Sequence, residues 1–199
     1  KNSKVNYLNY EIFFNFSKSR LIYGESTPAY MFLKPCAARI FQYNPNIKLI
    51  FILRNPVERA FSQHNMEFHR GNDSRDFKTV IREENLDSQS RINSYISRGF
   101  YFEQISRFLK LFPNENVLIL KYEDFKTNQF TQLNLVCNFL GVEPFNTFNK
   151  MEVGSKGGHS TNTININEND KTYLLDLFHD DIINLQKLIE WDSSDWLNN

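Results

Sequence analysis

The stretch IFILRNPVERAFSQHNMEFHRG, residues 50–71, predicts a strand that passes directly into a helix. The apolar run of a strand over Lys48–Leu53 ends at Arg54, and Asn55-Pro56 supplies a helix cap followed by proline at the first helical position. Ligands collect at the carboxyl ends of strands in parallel sheets, so a ligand is expected at Arg54. The arginine fork and the helix N-terminus, with its free backbone N–H groups, both suit a phosphate. Ser62, about two turns into the helix, can contact the same phosphate.

The same stretch also has a purely structural interpretation, a strand-to-helix turn with a solvated face. In that case Arg54 and Arg59 pair with Glu58 or with carboxylates elsewhere. Ser62 is then a small packing residue. The spacing is only moderately specific, so these residues alone leave both interpretations open.

The rest of the chain predicts an α/β domain. Two further apolar runs, Leu21–Tyr23 and Asn116–Leu120, predict strands, and amphipathic segments lie between the runs. Short strands alternating with helices are typical of a mostly parallel sheet covered by helices. With 199 residues, the chain fits a single domain, 1–199. Helices are predicted after Thr27-Pro28 and Asn55-Pro56, in each case a cap followed by proline, and over Gln129–Leu140 with Gly141 as its end. A helix over Phe100–Phe112 has an apolar stripe of Phe100, Ile105, Phe108, Leu109 and Phe112. Glu168–Ile189 predicts one long helix or two shorter ones, with an inward stripe of Leu174, Leu175, Phe178, Ile182, Leu185 and Leu188. Loops are predicted at Gly71–Arg75 and Met151–Thr163.

The composition excludes several classes of protein. Hydrophobic residues make up 41% and aromatic residues 15%, which excludes a disordered chain. The 23 basic residues balance 23 acidic ones, which argues against a nucleic-acid binder. No apolar run reaches the length of a membrane span. Cys36 and Cys137 are far apart and lack metal-ligand spacing, so neither a disulfide scaffold nor a metal site is predicted, and a reducing, cytoplasmic setting is favoured.

Two more residues are candidates for chemistry. Glu25 follows the predicted strand Leu21–Tyr23 and is therefore expected at the same sheet edge as Arg54. An ionised carboxylate there can accept a proton from a hydroxyl or an amine, whereas its structural alternative is to cap backbone N–H groups. Lys156 lies among glycines in the loop Met151–Thr163, which can close over a phosphate or sulfate. Its structural alternative is an exposed lysine in a flexible turn.

Five motifs follow one another along the chain. They are GESTPAY (24–30), FILRNPVERAFSQH (51–64), ISRGFYFEQISRFLKLFP (96–113), ILKYEDF (119–125) and SKGG (155–158). Each motif alone is weak, but the ordered set is highly specific. Together they resemble the sulfotransferases that use 3′-phosphoadenosine 5′-phosphosulfate (PAPS). The resemblance is strongest to the glycan and bacterial branch, which includes the heparan sulfate sulfotransferases, and it extends from about Tyr7 to Trp196.

The resemblance implies a fold and several roles. The family fold is a P-loop NTPase-like parallel sheet flanked by helices, which agrees with the α/β prediction. Arg54 and Ser62 match the pair that holds the 3′-phosphate of the donor, and Glu25 matches the general base of the glycan branch. These roles come from the resemblance and not from spacing.

Further donor contacts are implied for two Gly-containing segments. Lys156, followed by Gly157, matches the late-loop lysine that reaches the donor phosphates. Arg98 and Gly99 match the Arg-Gly that opens the helix beside the nucleotide, and Tyr101 follows where the family also places an aromatic residue.

The acceptor is not identified by the sequence. Tyr30 is one of several aromatic residues that could line a sugar or lipid cleft, with a place in the core as the alternative. His64 and His69 are further candidates for acceptor contacts. The acceptor is expected to be a small molecule or a carbohydrate with a hydroxyl or amine group. Nothing in the sequence indicates an oligomeric state.

Two departures from the family pattern bear on these expectations. The heparan group has a lysine after the glutamate, where this chain has Ser26. The family also begins with a strand and a phosphosulfate-binding loop of the kind K-x-G-T-[ST], and no such motif occurs here. The domain is therefore expected to be N-terminally incomplete or degenerate. The heparan group's disulfide-bearing insertion is missing too, which favours a cytoplasmic setting over the Golgi lumen of a eukaryotic enzyme.

The expected function is transfer of a sulfuryl group from PAPS to the acceptor, with 3′-phosphoadenosine 5′-phosphate (PAP) as product and no metal. The alternative is a non-catalytic nucleotide-binding or interaction domain that has lost the first loop. A nucleotide-kinase-like protein is excluded because the GxxxxGK[ST] loop is absent.

Overall fold

The computed structural model describes residues 8–12, 14, 22–88, 90, 92–147 and 166–197, and every structural statement below concerns these residues. Helices and two strands alternate along the chain, in agreement with the predicted α/β class. The elements are α1 (Leu8–Glu11), α2 (Ala29–Phe32), α3 (Cys36–Tyr43), β1 (Leu49–Leu53), α4 (Pro56–His69), α5 (Phe77–Glu83), α6 (Tyr101–Leu109), β2 (Val117–Lys121), α7 (Tyr122–Thr127), α8 (Gln129–Leu140), α9 (Glu168–Ile189) and α10 (Ser194–Leu197), with 3₁₀ turns at Ser97–Gly99 and Asn114–Asn116.

The sheet of the described residues consists of β1 and β2, which pair in parallel from Leu49 opposite Val117 to Leu53 opposite Lys121. Parallel neighbours need a crossover, and α4, α5 and α6 provide it. The predictions for these two strands are confirmed to within one residue. Both strands end at the same edge, so the residues after Leu53 and after Lys121 lie side by side.

The strand predicted at Leu21–Tyr23 is wrong for the residues described there. Residues 22–27 form neither helix nor strand. A strand requires a neighbour for its backbone N–H and C=O groups, and the described strands pair with each other. Glu25 therefore lies in an extended loop before α2, not at the end of a strand.

The core forms where α6 and α9 pack together beneath the sheet. The predicted helical stripes are confirmed at Ile105 and Phe108 of α6 and at Phe178 of α9, which are buried. The ring of Phe51 from β1 contacts that of Phe108 edge to face at 4.9 Å between centroids. The largest fully buried side chains are Trp196, Tyr95, Tyr101, Phe108, Phe178, Leu53, Ile81, Ile96, Ile105, Leu174, Ile182 and Leu185.

Local signals place the ends of several helices. Asn55 caps α4 as predicted, because its side-chain oxygen accepts from the N–H groups of Val57 at 3.0 Å and Glu58 at 3.3 Å. Gly141 ends α8 in the left-handed region with φ of 74°. Helix α9 is one continuous helix over the predicted range.

The predicted Thr27 cap is wrong. Pro28 occupies the N-cap position of α2 with helical dihedral angles, and the hydroxyl of Thr27 donates to Glu25 at 3.0 Å.

Within the described part of the chain, no helix has both the length and the apolar character that a membrane crossing requires.

Candidate active site

Arg54 lies at the carboxyl edge of the sheet, directly after β1. Its Nη2 donates to Oε2 of Glu58 at 2.9 Å, and its guanidinium lies over the ring of Tyr122, 5.1 Å from the centroid. The Arg54 side chain is 29% exposed, and its Nε is buried without a protein partner. A cation with a partly exposed guanidinium fork fits an anionic ligand such as a phosphate.

Ser62 lies on the same face of α4 as the Arg54–Glu58 pair. Ser62 follows Glu58 by four residues on α4, a spacing that puts side chains one above the other, and Glu58 pairs with Arg54, which lies just before the helix. Ser62 and Glu58 are exposed. The structure therefore presents a guanidinium, a carboxylate and a hydroxyl along one open face.

The N-terminus of α4 does not offer the free N–H groups expected from the sequence. The Asn55 side chain occupies the N–H groups of Val57 and Glu58, and the N–H of Arg59 donates to the Asn55 carbonyl at 2.9 Å. The described backbone N–H groups at the start of α4 are thus occupied, and the cation nearest to them at this edge is the Arg54 side chain.

The assignment of Arg59 to a solvated helix face is wrong. Its Nη1 donates to Oε1 of Gln63 at 2.7 Å and its Nη2 donates to the carbonyl of Tyr95. Burial lowers the pKa of the Arg59 guanidinium from its usual value. Arg59 thus ties α4 to the segment before the 3₁₀ turn at 97–99.

Hydroxyl groups surround Glu25. Tyr10 donates its hydroxyl to Oε1 at 3.1 Å and Thr27 donates to Oε2 at 3.0 Å. Burial, with a further contribution from the hydrogen bond to Glu25, raises the pKa of Tyr30. Glu25 itself is exposed. Its contacts are hydroxyls of side chains, so its surroundings differ from the backbone cap of the structural alternative.

Helix α6 connects the two parts of the site. At its start, the hydroxyl of Tyr101 donates to the carbonyl of Arg54 at 2.9 Å. Near its end, Nη2 of Arg107 donates to the carbonyls of Met31 and Phe32, the last two residues of α2, at 3.0 and 3.2 Å. Hydrogen bonds from α6 thereby fix the position of Arg54 relative to α2.

The Arg98-Gly99 pair lies in the 3₁₀ turn before α6. The Arg98 guanidinium stacks over the Phe32 ring at 5.0 Å, which links the turn to α2. Gly99 is buried, and a Cβ at this position would lie 2.7 Å from Cζ of Phe178 and 3.1 Å from Cβ of Pro56. The glycine is therefore required by packing, and its contact with a nucleotide stays a prediction.

The three acceptor candidates lie in different surroundings. Tyr30 is partly buried on α2 beside Glu25, and His69 is exposed at the end of α4. His64 is 5% exposed, and its Nε2 lies 2.9 Å from the carbonyl of Arg75. The His64 ring packs against Phe77 and other aromatic rings. This position inside the core fits a packing role for His64 and not an acceptor contact.

Tyr122 and Glu123 form part of this edge, although the sequence analysis quoted them only within a motif. They directly follow β2, so the rule that drew attention to Arg54 after β1 applies to them as well. Oε1 of Glu123 accepts from the N–H of Asn55 at 2.9 Å. The role of the Tyr101 hydroxyl had no sequence signal, because it depends on how α6 docks against the sheet.

Lys156 and Gly157, predicted to contact the donor, lie in the segment 148–165, outside the described residues.

Comparisons with known proteins agree on one family. Heparan sulfate glucosamine 3-O-sulfotransferase 5 of Mus musculus is 29% identical over 168 residues, covering 71% of this chain and 48% of that protein. Sulfotransferase 4A1 of Homo sapiens is 29% identical over 100 residues, covering 50% of this chain and 34% of that protein. This chain thus spans about half the length of the heparan sulfate relative and about a third of the length of sulfotransferase 4A1.

The fold is shared with a solved structure as well. The crystal structure of a sulfotransferase from Alicyclobacillus acidocaldarius matches with a TM-score of 0.81 and 23% identity, covering 96% of this chain and 74% of that one. This likeness confirms the predicted P-loop NTPase-like α/β fold. The sequence profile of the sulfotransferase domain matches residues 30–153, more than half of the 199 residues. The chain therefore belongs to the sulfotransferase family.

Proposed function

We propose that the protein transfers a sulfuryl group from PAPS to a hydroxyl or amine group of a small-molecule or carbohydrate acceptor and releases PAP. The observation that carries the proposal is the position of Arg54, a partly exposed guanidinium at the carboxyl edge of the sheet, inside the matched sulfotransferase domain. Ligands bind at this edge in open α/β sheets.

Arg54 and Ser62 anchor the 3′-phosphate in this proposal. The guanidinium supplies paired charged donors, and Ser62, on the same helix face, adds a hydroxyl. Arg98, Gly99 and the Lys156-Gly157 pair are proposed to complete the donor site. PAPS supplies the activated sulfuryl group, and the charge that develops on its leaving phosphate favours cationic neighbours.

Glu25 is proposed as the general base. It accepts the acceptor's proton while the new bond from the acceptor oxygen or nitrogen to sulfur forms. The bond from sulfur to the bridging oxygen breaks, and its electron pair leaves with PAP. The hydroxyls of Tyr10 and Thr27 hold the two carboxylate oxygens and so fix the direction in which Glu25 points.

The proposal is tested with the full-length protein, labelled PAPS and a panel of acceptors that differ only in carrying a hydroxyl or an amine. Labelled product with stoichiometric PAP is the expected result. Tight PAP binding without transfer to any acceptor favours the non-catalytic nucleotide-binding alternative, and absence of PAP binding contradicts both.

The anchor is tested by calorimetry with PAP. Arg54→Ala is expected to weaken binding by about 1.5–3 kcal/mol, the range for a hydrogen bond to a charged group. Arg70→Ala is the matched control, because Arg70 follows the far end of α4 and is 55% exposed. Equal affinities for the wild type and Arg54→Ala contradict the anchor role.

A further inference from the structure

The peptide group between Arg54 and Asn55 is bound on both of its polar atoms. Its carbonyl oxygen, from Arg54, accepts from the Tyr101 hydroxyl at 2.9 Å. Its N–H, from Asn55, donates to Oε1 of Glu123 at 2.9 Å. The two side chains come from α6 and α7, which are 47 and 68 residues away in sequence. We call this pair of contacts the peptide clamp.

Both members of the clamp are themselves held. Tyr101 is 1% exposed, and its own N–H donates to Oδ2 of Asp181 on α9 at 2.7 Å. Glu123 accepts at its other oxygen from Nε1 of the buried Trp196, at 3.4 Å. Burial raises the pKa of the Tyr101 hydroxyl to about 12, so it stays protonated and keeps donating at neutral pH.

The clamped peptide lies where the chain changes direction. Asn55, with φ of −40° and ψ of 118°, is in neither a strand nor a helical conformation, and it joins β1 to α4. The orientation of this peptide plane sets the backbone angle of Arg54, and with it the direction in which the Arg54 side chain leaves the chain. Fixing both polar atoms removes the rotation that would otherwise move the guanidinium.

We infer that Tyr101 and Glu123 are positioning residues for the donor site, holding the Arg54–Asn55 peptide so that the Arg54 guanidinium meets the 3′-phosphate. This inference rests on the proposed function, in which Arg54 is the phosphate anchor. Neither side chain needs to touch the nucleotide for this role. Both act through Arg54, so their effect on PAP affinity should disappear when Arg54 is replaced, whereas a general effect on stability should not.

The decisive experiment is a double-mutant cycle on PAP affinity in the full-length protein. Tyr101→Phe removes the hydroxyl and leaves the ring, and it is measured both in the wild type and in Arg54→Ala. We expect about a threefold to tenfold loss of PAP affinity in the wild type, the range for one hydrogen bond, and no further loss in Arg54→Ala.

Tyr95→Phe is the matched control. Tyr95 is 0% exposed and donates its hydroxyl to Oδ2 of Asp73 at 2.9 Å, so it loses an equally buried hydrogen bond away from the Arg54 edge. Unfolding by denaturant is measured for both variants. A comparable loss of stability with unchanged PAP affinity is expected for Tyr95→Phe, which shows that destabilisation alone does not weaken binding.

Substitutions at Glu123 provide a second, independent test of the clamp. Glu123→Ala removes the acceptor for the Asn55 N–H and is expected to weaken PAP binding about threefold or more. Glu123→Gln keeps one acceptor oxygen, which can still face the Asn55 N–H, and loses only the longer contact at 3.4 Å with Nε1 of Trp196, so it is expected to retain most of the affinity. An equal loss of PAP affinity in both variants contradicts the clamp, because an acceptor for the Asn55 N–H would then make no difference.

The failure of the inference and the failure of the proposed function give different results. If Arg54→Ala leaves PAP affinity unchanged, the anchor assignment fails and the clamp has nothing to position. If Arg54→Ala weakens binding but Tyr101→Phe has no effect, or has the same effect in both backgrounds, the anchor stands and the clamp is refuted.

Discussion

The Arg54 guanidinium is shared between two neighbours, the Tyr122 ring and the Glu58 carboxylate. Glu58 is 62% exposed, and exposed pairs of this kind contribute only about 0.2–1 kcal/mol. A phosphate that binds Arg54 competes with this carboxylate and is repelled by it. The ion pair that the structural interpretation predicted is therefore present, and it is weak enough for a phosphate to replace it.

The first prediction follows from this competition. Glu58→Gln removes the repelling charge and is expected to tighten PAP binding up to about fivefold, the value of one exposed ion pair, as measured by calorimetry. Glu103→Gln is the matched control, because Glu103 forms the same kind of i,i+4 pair with Arg107 on α6 and is 68% exposed. Weaker binding by Glu58→Gln would instead show that Glu58 orients Arg54 for its ligand.

The second prediction concerns Glu25. Glu25→Gln keeps the hydrogen-bonding shape of the side chain but cannot accept a proton, so turnover is expected to fall by about 10²–10⁴-fold. Affinity for PAP is expected to stay within error, because the proposed anchor residues are intact. Steady-state transfer rates and PAP calorimetry on the same preparation separate these effects. Unchanged turnover would remove Glu25 from the role of base.

At the scale of elements, helix ends show what local sequence can and cannot predict. Asn55 caps α4 as predicted because the bond closes within three residues of the chain. Thr27 fails as a cap because its hydroxyl is used by Glu25, a choice that depends on where that carboxylate lies. The start of α6 is capped by Asp181, which is 80 residues away and leaves no local signal. The longer helices with a clear apolar stripe or cap were therefore predictable, whereas short helices such as α5 and α7 and the contacts that join the helices were not.

Asp181 gives α6 and α9 a shared dependence on pH. Its carboxylate accepts from the N–H groups of Tyr101 at 2.7 Å and Phe102 at 3.2 Å. Burial raises the pKa of Asp181 from 3.8 to about 6, although these two hydrogen bonds act in the opposite direction. Between these values the folded protein holds a proton that the unfolded chain has released. This carboxyl group therefore makes the free energy of unfolding decrease as pH rises from about 4 to about 6.

The third prediction is that Asp181→Asn abolishes this decrease in unfolding free energy with rising pH. The amide oxygen still accepts from the α6 N-terminus, but position 181 no longer titrates. A shift of about two pKa units corresponds to about 3 kcal/mol, which the variant is expected to gain relative to the wild type as pH rises from about 4 to about 6. Denaturant unfolding across this range measures the difference. Asp180→Asn is the control, since Asp180 is adjacent on α9 and its side chain is 96% exposed. Parallel pH profiles for the wild type and Asp181→Asn would contradict the assignment.

At the scale of the whole molecule, the site is an edge where separate elements meet. The rule for parallel sheets placed Arg54 at that edge from sequence alone. It could not show that Tyr101 and Glu123 converge on the same peptide, because this depends on how α6 and α7 dock on the sheet. Gly99 is a similar case: its Arg-Gly motif pointed to a nucleotide, whereas its surroundings show a close contact between the turn at 97–99, α4 and α9.

The fourth prediction tests this contact. A methyl group at Gly99 meets the Phe178 ring at 2.7 Å and Pro56 at 3.1 Å, and Phe178 is fully buried, so the ring has little room to move. Gly99→Ala is expected to cost about 1–3 kcal/mol of unfolding free energy, the usual range for overpacking a core. Gly24→Ala is the control, because no atom lies within 4 Å of its added Cβ.

A second substitution identifies the cause. If the clash with Phe178 is responsible, Phe178→Leu makes room, and Gly99→Ala costs less in that background than in the wild type. Additive losses of stability would show that the alanine disturbs backbone freedom at Gly99 and does not act through the Phe178 ring.

The same variants connect packing to the site, because Pro56 is the first residue of α4 and directly follows the clamped peptide. Gly99→Ala is therefore also expected to weaken PAP binding, and Phe178→Leu is expected to restore part of both the stability and the PAP affinity. If Gly99 itself contacts the nucleotide, PAP affinity stays low even where stability is restored.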